Sequence, residues 1–229
     1  MVLRKLVLNP DTILRAYRLG LFPMAETRQS KTLHFLDPER RGVLPLEGFH
    51  LPHRLFRTLR TTPLVVCADR NFRGLIATCA SRRAERPETW INGEIERLFV
   101  ELHDLGHAHS VEVWDGSHLV GGLYGLVIGG AFFGESMVSL VRDASKLALA
   151  HLVARLRLSG FTLLDTQFLT DHLARFGARE VSRATYHALL GEAVALSVAW
   201  RGDLDTDTIL GELAGMRATR TVSPREDPT

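Results

Sequence analysis

The sequence predicts an α+β fold built around a mainly antiparallel sheet. Three apolar segments between residues 109 and 137 are joined only by the short turns Asp115-Gly116 and Gly129-Gly130, a connection that forces neighbouring strands antiparallel. Segments with helical spacing of apolar residues flank this meander, so helices and strands come in blocks rather than in strict alternation. With 229 residues, 45% of them apolar, the chain is long enough to bury about 70% of the surface its unfolded form exposes. Such a composition excludes wholesale disorder. No apolar run reaches the roughly 18–20 residues that a membrane-spanning helix requires. Residues 1–10 carry Arg4 and Lys5 but lack the apolar stretch and cleavage site of an export signal. The two cysteines, Cys67 and Cys79, are too few for a disulfide scaffold. A cytoplasmic protein without membrane attachment is expected.

Each element has a local cause. Asn9-Pro10 supplies a polar cap and a proline at the first helical position. Leu14, Tyr17 and Arg18 continue that helix, and Gly20 with Pro23 stops it. Residues 24–55 read as loop-rich, with Asp37-Pro38, Arg41-Gly42, Pro45 and Pro52 interrupting short apolar pieces such as Gly42-Val43-Leu44. Helical spacing returns from Leu55 to Leu59, and Thr61-Thr62-Pro63 marks a boundary. Residues 64–68 then read as a strand and 72–80 as a helix. Ile95, Leu98, Phe99, Leu102 and Leu105 form one face of a helix that Gly106 closes. After the meander, Asp143 can cap a long helix whose Leu149, Leu152, Val153 and Leu156 face the core. A strand at 161–167, a short helix at 170–176, a strand at 178–181 and a helix at 184–200 follow. Residues 201–229 read as a loosely held tail.

Charge is unevenly spread. Residues 1–60 hold eleven Lys/Arg against five Asp/Glu, whereas the remainder holds seventeen against twenty-one. The sign change falls near the 61–63 boundary and divides the chain into a small basic N-terminal domain (1–61), a body (62–200) and the tail (201–229). A basic front fits a polyanionic partner; the alternative is a solvated, arginine-rich surface.

Several constellations bear on chemistry. The histidines 103, 107 and 109 have no common metal-ligand spacing, and Gly106 breaks the helix between them, so no metal is expected there. Gly121-Gly122 and Gly129-Gly130 are not followed by a helix start, as a phosphate cradle requires; the first pair could let a ligand approach the sheet. Glu135 stands on the last strand of the meander. Alternation puts Phe133, Glu135 and Met137 on one face. A carboxylate among such neighbours is costly unless paired or used, and both readings are open. Asp165-Thr166-Gln167 ends an apolar strand, with Asp165 and Gln167 on one face and an N-cap role for Asp165 as the alternative. Glu135 and this pair converge in one crevice if their strands are neighbours. Trp90 is open between a core anchor and a stacking platform for a base.

These residues lie in an ordered series of blocks: Ala16-Tyr17-Arg18-Leu19-Gly20-Leu21-Phe22-Pro23, Asp37-Pro38-Glu39-Arg40-Arg41, Thr89-Trp90-Ile91, residues 102–114, Leu119 to Gly125, Phe132-Phe133-Gly134-Glu135-Ser136-Met137, Ala144-Ser145-Lys146, Asp165-Thr166-Gln167, Asp171-His172-Leu173 and Phe176-Gly177-Ala178. Across residues 10–190 the series resembles the bacterial leucyl/phenylalanyl-tRNA–protein transferases. Met24 stands where the family often has tryptophan, Leu123 where some members have methionine, and Val138-Ser139-Leu140 where Phe-Ser-Arg is usual. These departures fall at expected pocket positions and bear on amino-acid preference.

The resemblance implies a GNAT-like acyltransferase body behind a small basic N-terminal domain, needing neither coenzyme A nor a metal cofactor. The implied partners are aminoacyl-tRNA carrying Leu, Phe or sometimes Met, and proteins with N-terminal Arg or Lys, which transfer marks for degradation; a monomer is expected. An aminoacyl-tRNA is already an activated ester, and an α-amine with a pKa of about 7.7–8.0 is partly neutral at pH 7, so positioning and a proton acceptor suffice. Asp165, Gln167 and Glu135 are the expected catalytic residues, with Asp165 orienting Gln167, whose carbonyl accepts from the attacking amine. Trp90, Leu123, Phe132, Phe133, Met137, Ser139 and Met24 are the expected substrate-binding residues. Arg40, Arg41, Arg82, Arg83 and Arg86 are expected to hold tRNA phosphates. The rival is a coenzyme-A-dependent N-acetyltransferase, which normally has a glycine-rich pyrophosphate loop where this chain has residues 139–146 without glycine.

Overall fold

Asn9 starts α1 (Pro10–Arg18) as its sequence predicts, its side chain accepting from the Thr12 N–H at 2.9 Å. The structure is a computed structural model and describes residues 8–83 and 87–222. A hairpin follows, β1 (Phe22–Met24) with β2 (His34–Leu36), then β3 (Arg40–Val43) and α2 (His53–Thr61). Next come β4 (Val65–Ala68), α3 (Phe72–Ala80) and α4 (Gly93–Asp104). The meander is β5 (Ala108–Asp115), β6 (His118–Ile128) and β7 (Ala131–Ser139). It leads to α5 (Ala144–Ser159), β8 (Leu163–Gln167), α6 (Asp171–Ala174), β9 (Arg179–Ser182), α7 (Arg183–Val194) and α8 (Thr206–Val222).

Seven strands form one sheet in the order β4-β5-β6-β7-β8-β3-β9. Every neighbouring pair is antiparallel except β7 and β8, which run parallel with α5 as their crossover. One face packs on α5, covered in turn by α2 and α8; the other packs on α1, α3, α4 and α7. Because α5 has the sheet on one side and helices on the other, Ala144 through Leu156 are buried almost all round, and its apolar face is wider than a surface helix needs.

Several expectations change. The helix expected over 184–200 ends at Val194. The charge boundary near residue 61 falls inside the fold: β3 is hydrogen-bonded between β8 and β9, and α2 packs on α5 and α8. Charge marks a surface, whereas strand pairing follows the backbone. Residues 204–216 are not a loose tail, because Leu204, Ile209, Leu213 and Met216 enter the core beside α5; their helical spacing was the available signal. Asp143 precedes α5 in a left-handed conformation (φ +65°) and makes no side-chain cap. Instead, Ser139 Oγ accepts from the Ser145 N–H at 3.1 Å.

Candidate active site

Three strand ends build the site. The parallel register Phe133↔Asp165 sets β8 beside β7, and the antiparallel register Gly42↔Gln167 sets β3 on its other side. Gly42 is required there: a Cβ would fall 2.6 Å from the Phe168 carbonyl carbon and 2.7 Å from Thr166 Oγ1. On β7, Tyr124 pairs with Ser136 and Gly125 with Gly134, which leaves Glu135 as the extra residue of a β-bulge. The bulge breaks the simple alternation. Met137 joins the core face of Phe132, while Phe133 and Glu135 meet Tyr17 from α1.

Behind this corner lies a wholly buried ion pair. Arg41 donates to Asp165 through Nε (2.9 Å, to Oδ1) and Nη2 (2.6 Å, to Oδ2). The Tyr186 hydroxyl and the Gln167 N–H each donate to the same carboxylate at 2.9 Å. Arg41 Nη1 also reaches the Gly20 carbonyl at 2.9 Å, and the guanidinium stacks over Phe22 and Tyr186. Burial alone would lower the Arg41 pKa, but the Asp165 carboxylate outweighs it, so the guanidinium stays charged. Gln167, held by Asp165, has φ +54°, a left-handed conformation that is costly for a residue with a side chain.

In front of the ion pair, Tyr17 donates to Glu135 Oε1 at 2.6 Å and Gln167 Nε2 donates to the same oxygen at 3.4 Å. Burial pushes the Glu135 carboxyl up to about 8; the Tyr17 bond and the Arg41 charge work against that rise, and Asp165 adds to it. Burial, with the neighbouring carboxylates, also pushes Tyr17 and Tyr186 up, so both phenols remain donors.

Glu135 and Gln167 share one cavity of about 470 Å³. Leu123, Met137, Leu149, Leu152, Leu164 and Leu173 give it an apolar floor, and Met24, Trp90 and Phe168 stand among its other walls. Thr166 Oγ1 and His172 Nε2, from two further lining residues, are buried without a hydrogen-bond partner among the described residues. Burial first, then Lys146 and Arg175, lower the His172 pKa and favour the neutral ring.

Four of the expected substrate-binding residues therefore line the cavity: Trp90, Leu123, Met137 and Met24. Trp90 also packs against the core, so it anchors and lines at once. Phe132 and Phe133 are fully buried core residues behind the wall, and Ser139 caps α5. Arg41 is not a phosphate ligand, because it is wholly buried against Asp165. Arg40 is exposed and 3.5 Å from Glu180; Arg82 bonds Gln29 and Glu88, and Arg83 bonds the Thr78 carbonyl. Arg86 lies outside the described residues. Sequence reasoning missed Tyr17, Tyr186 and the lining role of Leu149 and Leu152, which helical spacing marked only as core.

Other candidate features make bonds within the protein. Asp69, His103 and His109 bring ligand-type atoms within 4.8 Å of one another. However, His109 Nδ1 meets Asp69 at 2.9 Å, its Nε2 meets the Gly106 carbonyl at 3.2 Å, and His103 Nδ1 meets the Ala108 carbonyl at 2.8 Å. Gly121 makes room for α5 rather than for a ligand, since a Cβ would sit 2.5 Å from that of Ala144. The first N–H groups of α5, where a pyrophosphate would bind, are taken by Val141 O, Ser139 Oγ and Asp143 O.

Residues 43–191 match the family model described as leucyl/phenylalanyl-tRNA protein transferase, and residues 7–39 match that of its N-terminal domain. The leucyl/phenylalanyl-tRNA–protein transferase of Paramagnetospirillum magneticum is 57% identical over 193 residues, covering 84% of this chain and 92% of that one. The same-named protein of Rhodopseudomonas palustris (strain BisB18) is 50% identical over 219 residues, covering 96% and 94%. That of Caulobacter vibrioides is 56% identical over 185 residues, covering 81% and 85%. Fold, cavity and likeness together define an aminoacyltransferase. The chain belongs to the leucyl/phenylalanyl-tRNA–protein transferase family. No helix among the described residues is long and apolar enough to cross a membrane.

Proposed function

We propose that this protein moves Leu or Phe, and also Met, from tRNA to the N-terminal Arg or Lys of acceptor proteins. The peptide bond so formed marks the acceptor for degradation in the cytoplasm. The observation that carries this reading is the single cavity holding both an apolar floor and the Glu135–Gln167 pair. Burying a Leu or Phe side chain on that floor contributes about 1.5–3 kcal/mol. A slot of leucines and a methionine discriminates a methylene by only about 1–3 kcal/mol, which suits several large donors rather than one. Gln167 turns its Nε2 to Glu135, so its carbonyl is the amide atom left to accept from the attacking amine. Asp165 fixes Gln167 through the backbone bond, and Glu135 seats a cationic N-terminus.

The antiparallel meander followed by a crossover to a parallel strand supports a GNAT-like ancestry for the body. The filled N–H groups at α5 count against the coenzyme A alternative. We assign the phosphate grip to exposed cations of the basic N-terminal half, such as Arg40, with the protein working as a monomer.

Radiolabelled Leu-tRNA incubated with a peptide bearing N-terminal Arg tests the reaction, a peptide with N-terminal Gly being the control. Label is expected in the first peptide only; equal labelling, or none, refutes the proposal. Raising salt from about 50 to 200 mM is expected to weaken tRNA binding by orders of magnitude if phosphate contacts dominate. An unchanged dissociation constant would remove the basic grip.

A further inference from the structure

We infer that Glu135, rather than Asp165, takes the proton that the acceptor's α-ammonium must lose before it attacks, and that Asp165 is a positioning residue. This rests on the transfer reading above and adds the route of the proton. The two Asp165 oxygens already accept four hydrogen bonds, two each: Oδ1 from Arg41 Nε and Gln167 N, Oδ2 from Arg41 Nη2 and the Tyr186 hydroxyl. A carboxylate offers about four lone-pair sites, so none is left for a substrate proton. Asp165 is also fully buried and forms no wall of the cavity. What it does hold is the Gln167 N–H, and with it a backbone conformation that Gln167 would not otherwise keep.

Glu135 differs on each count. It lines the cavity, its Oε1 takes the bonds from Tyr17 and Gln167, and neither of these bonds uses Oε2. The titratable and charged groups around it are Tyr17 from α1, Arg41 from β3 and Asp165 from β8. The Arg41 charge is already matched by Asp165, so no unpaired cation holds Glu135 ionised. Its pKa of about 8 then lies beside that of an α-ammonium, about 7.7–8.0, the match at which proton transfer is most efficient.

The α-ammonium gives one proton to the ionised form of Glu135, a fraction that grows as pH rises towards about 8, and the freed lone pair forms the C–N bond at the ester carbonyl carbon. When the tetrahedral adduct collapses, the C–O bond to the ribose breaks and the ribose oxygen keeps that electron pair. The second nitrogen proton neutralises this oxygen, and Glu135 releases its own proton to solvent as the product leaves.

The test uses the full chain, Leu-tRNA and two peptides that begin with Arg, one ordinary and one carrying an α-aminooxy group, which is neutral at pH 7 and has no such proton to lose. Glu135→Gln is expected to lower kcat about 100-fold with the ordinary peptide and only a few-fold with the aminooxy peptide, whereas loss of a seating role alone would raise KM for the ordinary peptide and leave kcat unchanged. Asp165→Asn is expected to lower kcat for both peptides alike while KM stays within about threefold. An equal Glu135→Gln penalty for both peptides, or none for the ordinary one, overturns the proposal. A melting temperature of Glu135→Gln at or above that of the unsubstituted protein at pH 8 shows that lost activity is not lost fold. No transfer by the unsubstituted protein to either peptide would refute the transfer reading itself, and this proposal with it.

Discussion

Two corners of the sheet use the same local device for different ends. Asp69, just after β4, and Gln167, at the end of β8, are both non-glycine residues in left-handed conformations beside a buried carboxylate network. At the first corner, Asp69 accepts from the Ser110 N–H, the Trp200 indole and His109 at 2.8–2.9 Å. Glu112 beside it accepts from the Asn71 N–H, the Ser110 hydroxyl and the Trp114 indole. Burial alone would raise the Asp69 pKa, but its His109, Ser110 and Trp200 bonds outweigh that and hold it below the ordinary value. At the second corner, Glu135 has fewer donors and a cavity in front of it, and its carboxyl is pushed up to about 8. The lesson is that a buried acid alone is no sign of chemistry. The sign is a carboxylate short of donors, on a cavity wall, held by a neighbour that is fully satisfied.

Substitutions at the two corners should therefore separate. The largest effect is expected from Arg41→Ala, which leaves Asp165 buried and unpaired: about 3–5 kcal/mol of stability lost in a denaturant titration, with no transfer. A loss below about 1 kcal/mol would mean that the ion pair does not hold the site. Gln167→Gly is expected to cut transfer about 100-fold, the scale of one hydrogen bond made to charge in the transition state. Its stability should change by under about 1 kcal/mol, because relief of the φ strain offsets the added chain entropy. His109→Ala is the mirror image at the first corner. It should cost about 1–3 kcal/mol of stability by leaving Asp69 short of a donor, while kcat/KM stays unchanged; a large fall in kcat/KM would erase the contrast.

The smallest effect concerns pH. The Glu135 pKa is raised on folding, so between its ordinary value and about 8 the folded state binds the extra proton, and stability falls as pH rises through that window. Glu135→Gln mimics the protonated form. Its melting temperature should exceed that of the unsubstituted protein at pH 8, and the gap should close by pH 5. A gap that is constant with pH would contradict the raised pKa.

Much of this was legible in the sequence. The meander, the cap at Asn9, the limits of α3 and the long α5 all follow from local turns and periodicity, and local signals survive folding unchanged. The meeting of Glu135 with Gln167 was conditional on β7 and β8 being neighbours, which the parallel pairing supplies. What stayed hidden is non-local. Arg41 looked like one more cation in a basic segment, and only the insertion of β3 beside β8 turns it inward. The bulge at Glu135 is invisible to an alternation count, so Phe133 was placed in the pocket with Met137, although the two lie on opposite faces. In the C-terminal segment, the two glycines among Ile209, Leu213 and Met216, Gly211 and Gly215, are poor helix formers and mask a helical stripe.

The most direct measurement is a crystal structure of the protein with a non-hydrolysable 3′-amide of leucyl-adenosine. The leucyl side chain is expected on the floor formed by Leu123, Met137, Leu149 and Leu152, with the carbonyl carbon beside Gln167 and Glu135. A leucyl group bound outside this cavity, or inside it with its carbonyl turned away from both residues, would contradict the shared-cavity claim.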